Sequence, residues 1–139
     1  MTSPEGDNAT VLVVDDDQAA LKLANEILRQ LGYRAVCRQS AASALKAVAK
    51  ERPAAVVLDL VMPEMNGFEF LKCFRRTHRG RQTPVIVWTG KDLSDAERAE
   101  LRAAANAVTK KDQKALELVR EIESIMRAPG APPEEIYER

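Results

Sequence analysis

The sequence predicts an α/β fold, a parallel sheet with helices on both faces, and three observations carry that prediction. Five short β-rich apolar runs alternate with five segments of helical periodicity, the pattern of parallel strands joined by crossover helices. The chain has 139 residues, enough for one ordinary domain; 45% are hydrophobic but only 4% aromatic, so the core must come mostly from Ala, Val, Leu and Ile. Asp15, Asp16, Asp59, Thr89 and Lys111 each lie at or just past the end of an apolar run. Open α/β sheets form their functional crevice at those carboxyl ends.

The elements follow in order. Met1 to Asn8 is polar and reads as a disordered lead, outside a domain spanning 9–127. Val11 to Val14 is the first strand, and Asp17 is placed to cap the next helix, where a short acid satisfies free N–H groups. That helix carries Leu21, Ala24, Leu28 and Leu31 at helical spacing, with Leu23 and Ile27, and Gly32 stops it. Tyr33 to Arg38 is a second strand. Ser40 or Ser43 opens an alanine-rich helix with Leu45 and Val48, which Pro53 ends.

Ala55 to Leu58 runs straight into Asp59, as suits a strand buried on both faces with an acid at its rim. Pro63 and Gly67 turn the chain into a third helix, from about Gly67 to His78, that buries Phe70, Leu71 and Phe74. Its basic end, Arg75, Arg76, His78 and Arg79, reads as solvated and favourable to the helix dipole. Pro84 to Thr89 is the fourth strand. Trp88 within it is explained by packing.

Ser94 with Glu97 forms a capping box for a fourth helix, weakly apolar, with Ala96, Ala99 and Leu101. Ala107 to Thr109 is a marginal fifth strand. Gln113 to Arg127 is the last helix, with Leu118, Val119, Ile122, Ile125 and Met126 on one face. Residues 128–139 form a Pro- and Glu-rich tail too short to fold alone.

Composition also excludes. Formal net charge is +0, from 21 basic and 21 acidic residues, which argues against direct nucleic-acid or anionic-membrane binding by bulk charge. Cys37 and Cys73 fit no metal or redox spacing and read as free buried thiols of a reducing compartment. No apolar run approaches the roughly 18 residues of a membrane span, and the N-terminus lacks an apolar signal core. A soluble, cytoplasmic protein is expected.

If the first and third strands are neighbours, Asp15, Asp16 and Asp59 come within a few ångströms of one another. Like charges that close require a counter-ion. A hard cation such as Mg²⁺ suits carboxylates, a backbone carbonyl and water. Taken singly, Asp15 and Asp16 could be helix caps and Asp59 a loop acid. With a Thr and a Lys at matching strand ends, a shared site is the better account.

These motifs resemble the receiver domain of two-component response regulators. Val11-Leu-Val-Val-Asp15-Asp16 is similar to that family's first strand and acidic pair. Asp59-Leu-Val-Met62-Pro63-Glu-Met-Asn66-Gly67 resembles its phosphoacceptor motif, with Asn66 in place of the usual Asp. Pro84-Val-Ile-Val-Trp-Thr89-Gly90 resembles the strand that ends in the switch hydroxyl. The resemblance covers about residues 9–127 and implies strand order 2-1-3-4-5.

It also implies roles. Asp59 would take a phosphoryl group from a sensor histidine kinase or phosphotransfer protein. Asp15, Asp16, Asp59 and the Val61 backbone carbonyl would hold Mg²⁺. Thr89 and a lysine would contact phosphoryl oxygens. Lys111, 52 residues after Asp59 and 22 after Thr89, has the family's spacing; Lys110, ending Thr109-Lys110 like a typical strand terminus, is the alternative. Asp112 stands where the family usually has Pro. Val108, or Ala107 in the Lys110 register, stands where it has an aromatic switch residue, so any signal would run through Gly90 and the fourth helix.

The expectation is a single-domain response regulator, monomer or weak dimer, that acts on an unknown downstream protein and catalyses only its own phosphorylation and dephosphorylation. A phosphorylation-independent pseudo-receiver is the main alternative. A haloacid-dehalogenase-type hydrolase is disfavoured by Val61 where a second acid is needed, and a flavin binder by the lack of a phosphate loop after the first strand.

Overall fold

The computed structural model describes residues 9–112 and 115–126. Its elements are β1 (Thr10–Val14), α1 (Gln18–Gln30), β2 (Arg34–Arg38), α2 (Ala41–Glu51), β3 (Ala55–Leu58), α3 (Gly67–Arg76), β4 (Val85–Thr89), α4 (Asp95–Ala104), β5 (Ala107–Lys110) and α5 (Ala115–Met126). The strands form one sheet in the order β2-β1-β3-β4-β5, and every pairing is parallel. The expected fold class and strand order are both observed.

Strand alternation divides the core in two. Leu12, Val14, Val56, Leu58, Val85 and Val87 face α2, α3 and α4, where Phe70, Leu71, Phe74 and Leu101 complete one cluster. Val11, Val13, Val57, Ile86 and Trp88 face α1 and α5, meeting Leu21, Leu28, Leu118 and Ile122. The central strands β1, β3 and β4 are buried along their whole length. That is why they read as continuous apolar runs without alternation. The edge strands β2 and β5 are only partly covered and correspondingly weaker in sequence.

Local chemistry sets the boundaries. Asp17 caps α1 by accepting from Ala19 N, and Gly32, at φ +94°, takes the left-handed conformation that ends it. Of the two serines that could open α2, Ser40 is the cap and accepts from Ser43 N at 3.1 Å. Ser94 and Glu97 form the expected capping box on α4, and Asn66 with Glu69 forms a second one on α3. Asn66, the departure from the family motif, therefore has a local structural use.

Several expectations are corrected. Helix α3 ends at Arg76, short of His78, because Thr77 Oγ1 donates to Phe74 O at 2.7 Å and accepts from Gly80 N at 2.8 Å, folding the chain into a turn. Arg75 is not part of a solvated basic end; it is half-buried and bonded inward. Leu23 is exposed, and Leu101 is the sole buried residue of α4, with Ala96 and Ala99 facing out. Cys37 and Cys73 are free but half-buried, not fully buried. The N-terminal lead, Gln113, Lys114, Arg127 and the tail lie outside the described residues. No helix among the described residues is long and apolar enough to cross a membrane.

Candidate functional site

The parallel ladder continues one residue past β1 and β3. Asp15 N donates to Arg38 O at 3.0 Å and Asp59 N donates to Val14 O at 2.9 Å. Because β1 and β3 are adjacent, the two acids emerge side by side at the carboxyl rim. Asp15 is 1% and Asp59 6% exposed, while Asp16 faces solvent. One carboxylate oxygen from each of the three lies within 4.8 Å of the others.

Hydrogen bonds fix the two buried acids. Asp15 Oδ1 accepts from Asp17 N at 2.9 Å and Asp59 Oδ1 accepts from Leu60 N at 2.8 Å. Each therefore turns its Oδ2 toward the other elements. The loop after Asp59 returns at once: Gly67 N donates to Leu60 O at 3.0 Å, and a Cβ on Gly67 would collide with the Asp59 carbonyl and with Leu60. Gly67 is needed for that close approach. Glu64, at φ +68°, carries the left-handed turn of this loop despite its side chain.

Thr89 and Lys111 arrive from β4 and the end of β5. Thr89 is fully buried, and its Oγ1 accepts from Lys91 N at 3.2 Å. Lys111 N donates to Thr89 O at 2.8 Å, so the loop after β5 is tied to the end of β4. Lys111 Nζ lies 2.6 Å from Asp15 Oδ2 and 3.5 Å from Asp59 Oδ2. Lys110 turns away to Asp92 Oδ1, 2.8 Å distant, on a side chain that is 99% exposed. Between the two candidate lysines, the structure brings Lys111 to the buried acids and Lys110 to the exposed Asp92.

Asp15 Oδ2 is buried, and for all its nearness to Lys111 no donor is directed at it along a hydrogen-bond axis. Burial raises the Asp15 pKa; the Lys111 ammonium and the Asp17 amide oppose this, and the Asp59 charge adds to it. Burial works against the charge on Lys111, but the Asp15 and Asp59 carboxylates outweigh it and hold its pKa up. One cation thus serves two carboxylates that repel each other. Three hard oxygen donors and an under-satisfied buried oxygen fit a divalent cation of the Mg²⁺ type.

Beside this cluster lies an open cleft of about 380 Å³, lined by Asp16, Asp59, Val61, Gly90, Lys91 and Lys111. Val61 is 56% exposed at its mouth. Val108, at the position of the absent aromatic, is exposed, and a Cβ on Gly90 would meet nothing within 4 Å. Trp88 makes a contact beyond the packing expected of it. Its ring centroid lies 5.4 Å from Lys111 Nζ. The signal was the presence of a Trp immediately before Thr89, but its contact is with a loop 23 residues on.

The family profile of the response regulator receiver domain matches residues 11–123. The chain belongs to this family. The receiver domain is 31% identical over 130 residues to the probable transcriptional regulatory protein TcrX of Mycobacterium tuberculosis, which covers 94% of this chain and 55% of TcrX. The chain spans about half the length of the curated relatives it matches. Among solved structures, chemotaxis protein CheY4 of Vibrio cholerae superposes with a TM-score of 0.79 at 27% identity, covering 85% of this chain and 98% of that one. The receiver domain of sensor histidine kinase PA1611 from Pseudomonas aeruginosa, whose structure has a magnesium ion coordinated in the active-site cleft, gives 0.75 at 26% identity, covering 84% and 95%. Receiver domains are signalling modules, and this membership sets aside the hydrolase and flavin-binder alternatives.

Proposed function

We propose that Asp59 accepts a phosphoryl group from the phosphohistidine of a kinase or phosphotransfer protein, in a Mg²⁺-dependent reaction, and that the domain then signals through altered protein–protein contacts. The observation that carries this reading is Lys111 Nζ set between Asp15 Oδ2 and Asp59 Oδ2 at the edge of an open cleft. Asp59 Oδ1 is held by Leu60 N, leaving Oδ2 to attack. A P–O bond forms there as the P–N bond of the donor breaks and imidazole leaves. Phosphoryl transfer depends on position and charge stabilisation more than on further covalent chemistry.

Asp15, Asp16, Asp59 and the Val61 carbonyl would hold Mg²⁺, which supplies counter-charge for the carboxylates and the phosphoryl oxygens when bound. Lys111 brings a second positive charge from the end of β5. Thr89 Oγ1 accepts from Lys91 N, so its own proton is available to a phosphoryl oxygen. The Mg²⁺ in the PA1611 receiver and the acidic cluster here support the metal assignment.

On this reading residues 9–127 form the receiver unit and the protein acts in the cytoplasm as a monomer or weak dimer. It makes no direct nucleic-acid contact, and its downstream partner is another protein. The test is incubation with Mg²⁺ and acetyl phosphate followed by intact mass. Wild type should gain one phosphate, and neither the metal-free sample nor Asp59→Asn should gain any. Equal labelling of the Asn variant would overturn the assignment and favour another acceptor; an unlabelled wild type would favour the pseudo-receiver.

A further inference from the structure

We infer that Trp88 is a positioning residue for Lys111, holding its ammonium over the aromatic face so that it meets the acids and the incoming phosphoryl group. The inference rests on the role proposed above for Lys111. The geometry arises from two neighbouring strand ends. Alternation along β4 sends Trp88 to the α1/α5 side, next to Ile86 and opposite Thr109 of β5. The chain leaves β5 at Lys110, and Lys111 N is tied to Thr89 O. The Lys111 side chain therefore starts within one residue of Trp88 and passes over it, placing Nζ 5.4 Å from the ring centroid.

That distance lies inside the range in which a ring quadrupole attracts a cation. Trp88 is 5% exposed, so the attraction acts away from bulk water. A lysine side chain has four rotatable bonds and a strongly hydrated head, and besides the ring it is the Asp15 and Asp59 carboxylates that hold it at this rim. A carboxylate would restrain it by neutralising its charge and occupying its N–H donors. The ring restrains it and does neither. The ammonium stays close to Asp15 and Asp59, and its donors remain free to meet a phosphoryl oxygen after transfer. Packing alone would be served equally by a large aliphatic residue, which supplies no such attraction.

Trp88 is the single Trp of the chain, so its emission reports this contact directly. In the full chain without metal, Lys111→Met should change the intensity or wavelength of that emission, whereas Lys110→Met should leave it as in wild type. With Mg²⁺ and acetyl phosphate, Trp88→Phe, which keeps a ring, should label within about twofold of wild type, and Trp88→Leu at least about fivefold more slowly. Unchanged emission in Lys111→Met, or equal labelling rates in the two Trp88 variants, would overturn this inference alone. An unlabelled wild type would overturn the phosphoacceptor reading and this inference with it.

Discussion

The two edges of the sheet each hold a partly buried cation, and they hold it in opposite ways. At the amino edge, Arg75 donates to Ala104 O at 2.9 Å, to Gly80 O and Thr83 O at 2.6 Å each, and to Asn106 Oδ1 at 3.3 Å. Its guanidinium also stacks over Phe74, 5.8 Å from the ring centroid. Asn106 Oδ1 in turn accepts from Val85 N. One side chain thus binds the end of α3, the end of α4, the approach to β4 and the start of β5. At the carboxyl edge, Lys111 faces two carboxylates that repel each other, and one of their oxygens lacks a directed donor.

The difference follows from side-chain chemistry. A planar guanidinium with five donors in a fixed fork matches several fixed carbonyl oxygens at once and then has nowhere to go. An ammonium on a flexible stem can exchange one partner for another. The Arg75 edge is satisfied and serves the fold. The Lys111 edge is left short of positive charge, and that shortage is what a metal cation can relieve.

The largest expected effect breaks the satisfied edge. Arg75→Ala leaves up to four acceptors without their donor, and each buried orphan is costly. Urea denaturation should show a loss of about 2–3 kcal/mol. Arg75→Lys should recover less than half of it, because a point charge cannot reach acceptors spread over four segments. A loss in Arg75→Ala no greater than that of an exposed Arg, such as Arg102→Ala, would show that the network does not hold in solution.

A smaller effect of opposite sign belongs to the other edge. Asp59→Asn removes one of three crowded carboxylates while leaving Lys111 its 2.6 Å partner on Asp15. The Asp59 charge is one of the causes that raise the Asp15 pKa, so its removal eases a buried neighbour. Without divalent cations the variant should be more stable than wild type, by on the order of 1 kcal/mol, as sites shaped for function often permit. Mg²⁺ should close or reverse the gap, since binding at about 100 times Kd adds about 2.7 kcal/mol to the state that binds. Melting curves in EDTA and in Mg²⁺ check both halves. A variant less stable than wild type in EDTA would mean that the three acids are not in conflict.

How far each edge could be read in the sequence differs for the same physical reason. The acids, Thr89 and the candidate lysines could be read because parallel strands deliver their terminal residues to one rim, whatever the helices do between. The apolar runs of β1, β3 and β4 fixed that rim. Arg75 was misread because its neighbours Arg76, His78 and Arg79 are exposed, and helical periodicity does not show that Thr77 breaks the helix and folds the chain back beneath it. Its acceptors lie up to 31 residues away, and three of the four are backbone carbonyls, which carry no sequence signal. Trp88 was half-read: period-two alternation places it in the core, but its contact with Lys111 depends on the register between β4 and β5.

The smallest expected effect concerns the neighbour of Lys111. Lys110 makes a 2.8 Å ion pair with Asp92, shorter than the Lys111–Asp59 contact, yet Asp92 is almost wholly exposed. That pair raises the Lys110 pKa and lowers that of Asp92, but at a solvated surface Coulomb attraction is offset by hydration, screening and the entropy of two long side chains. Lys110→Ala should therefore leave both the melting temperature and the rate of acetyl phosphate labelling indistinguishable from wild type. Lys111→Ala should lower the labelling rate at least about tenfold, the scale expected when an electrostatic group is lost from a site of charge transfer. The paired comparison is sharp because the two lysines share residue type, strand end and a short contact with an acid. They differ in which acid they meet and in how deeply that acid is buried, Asp92 at 99% exposure and Asp15 at 1%. A labelling defect in Lys110→Ala equal to that in Lys111→Ala would transfer the role to Lys110, and with it the contrast between a solvated pair and a working one.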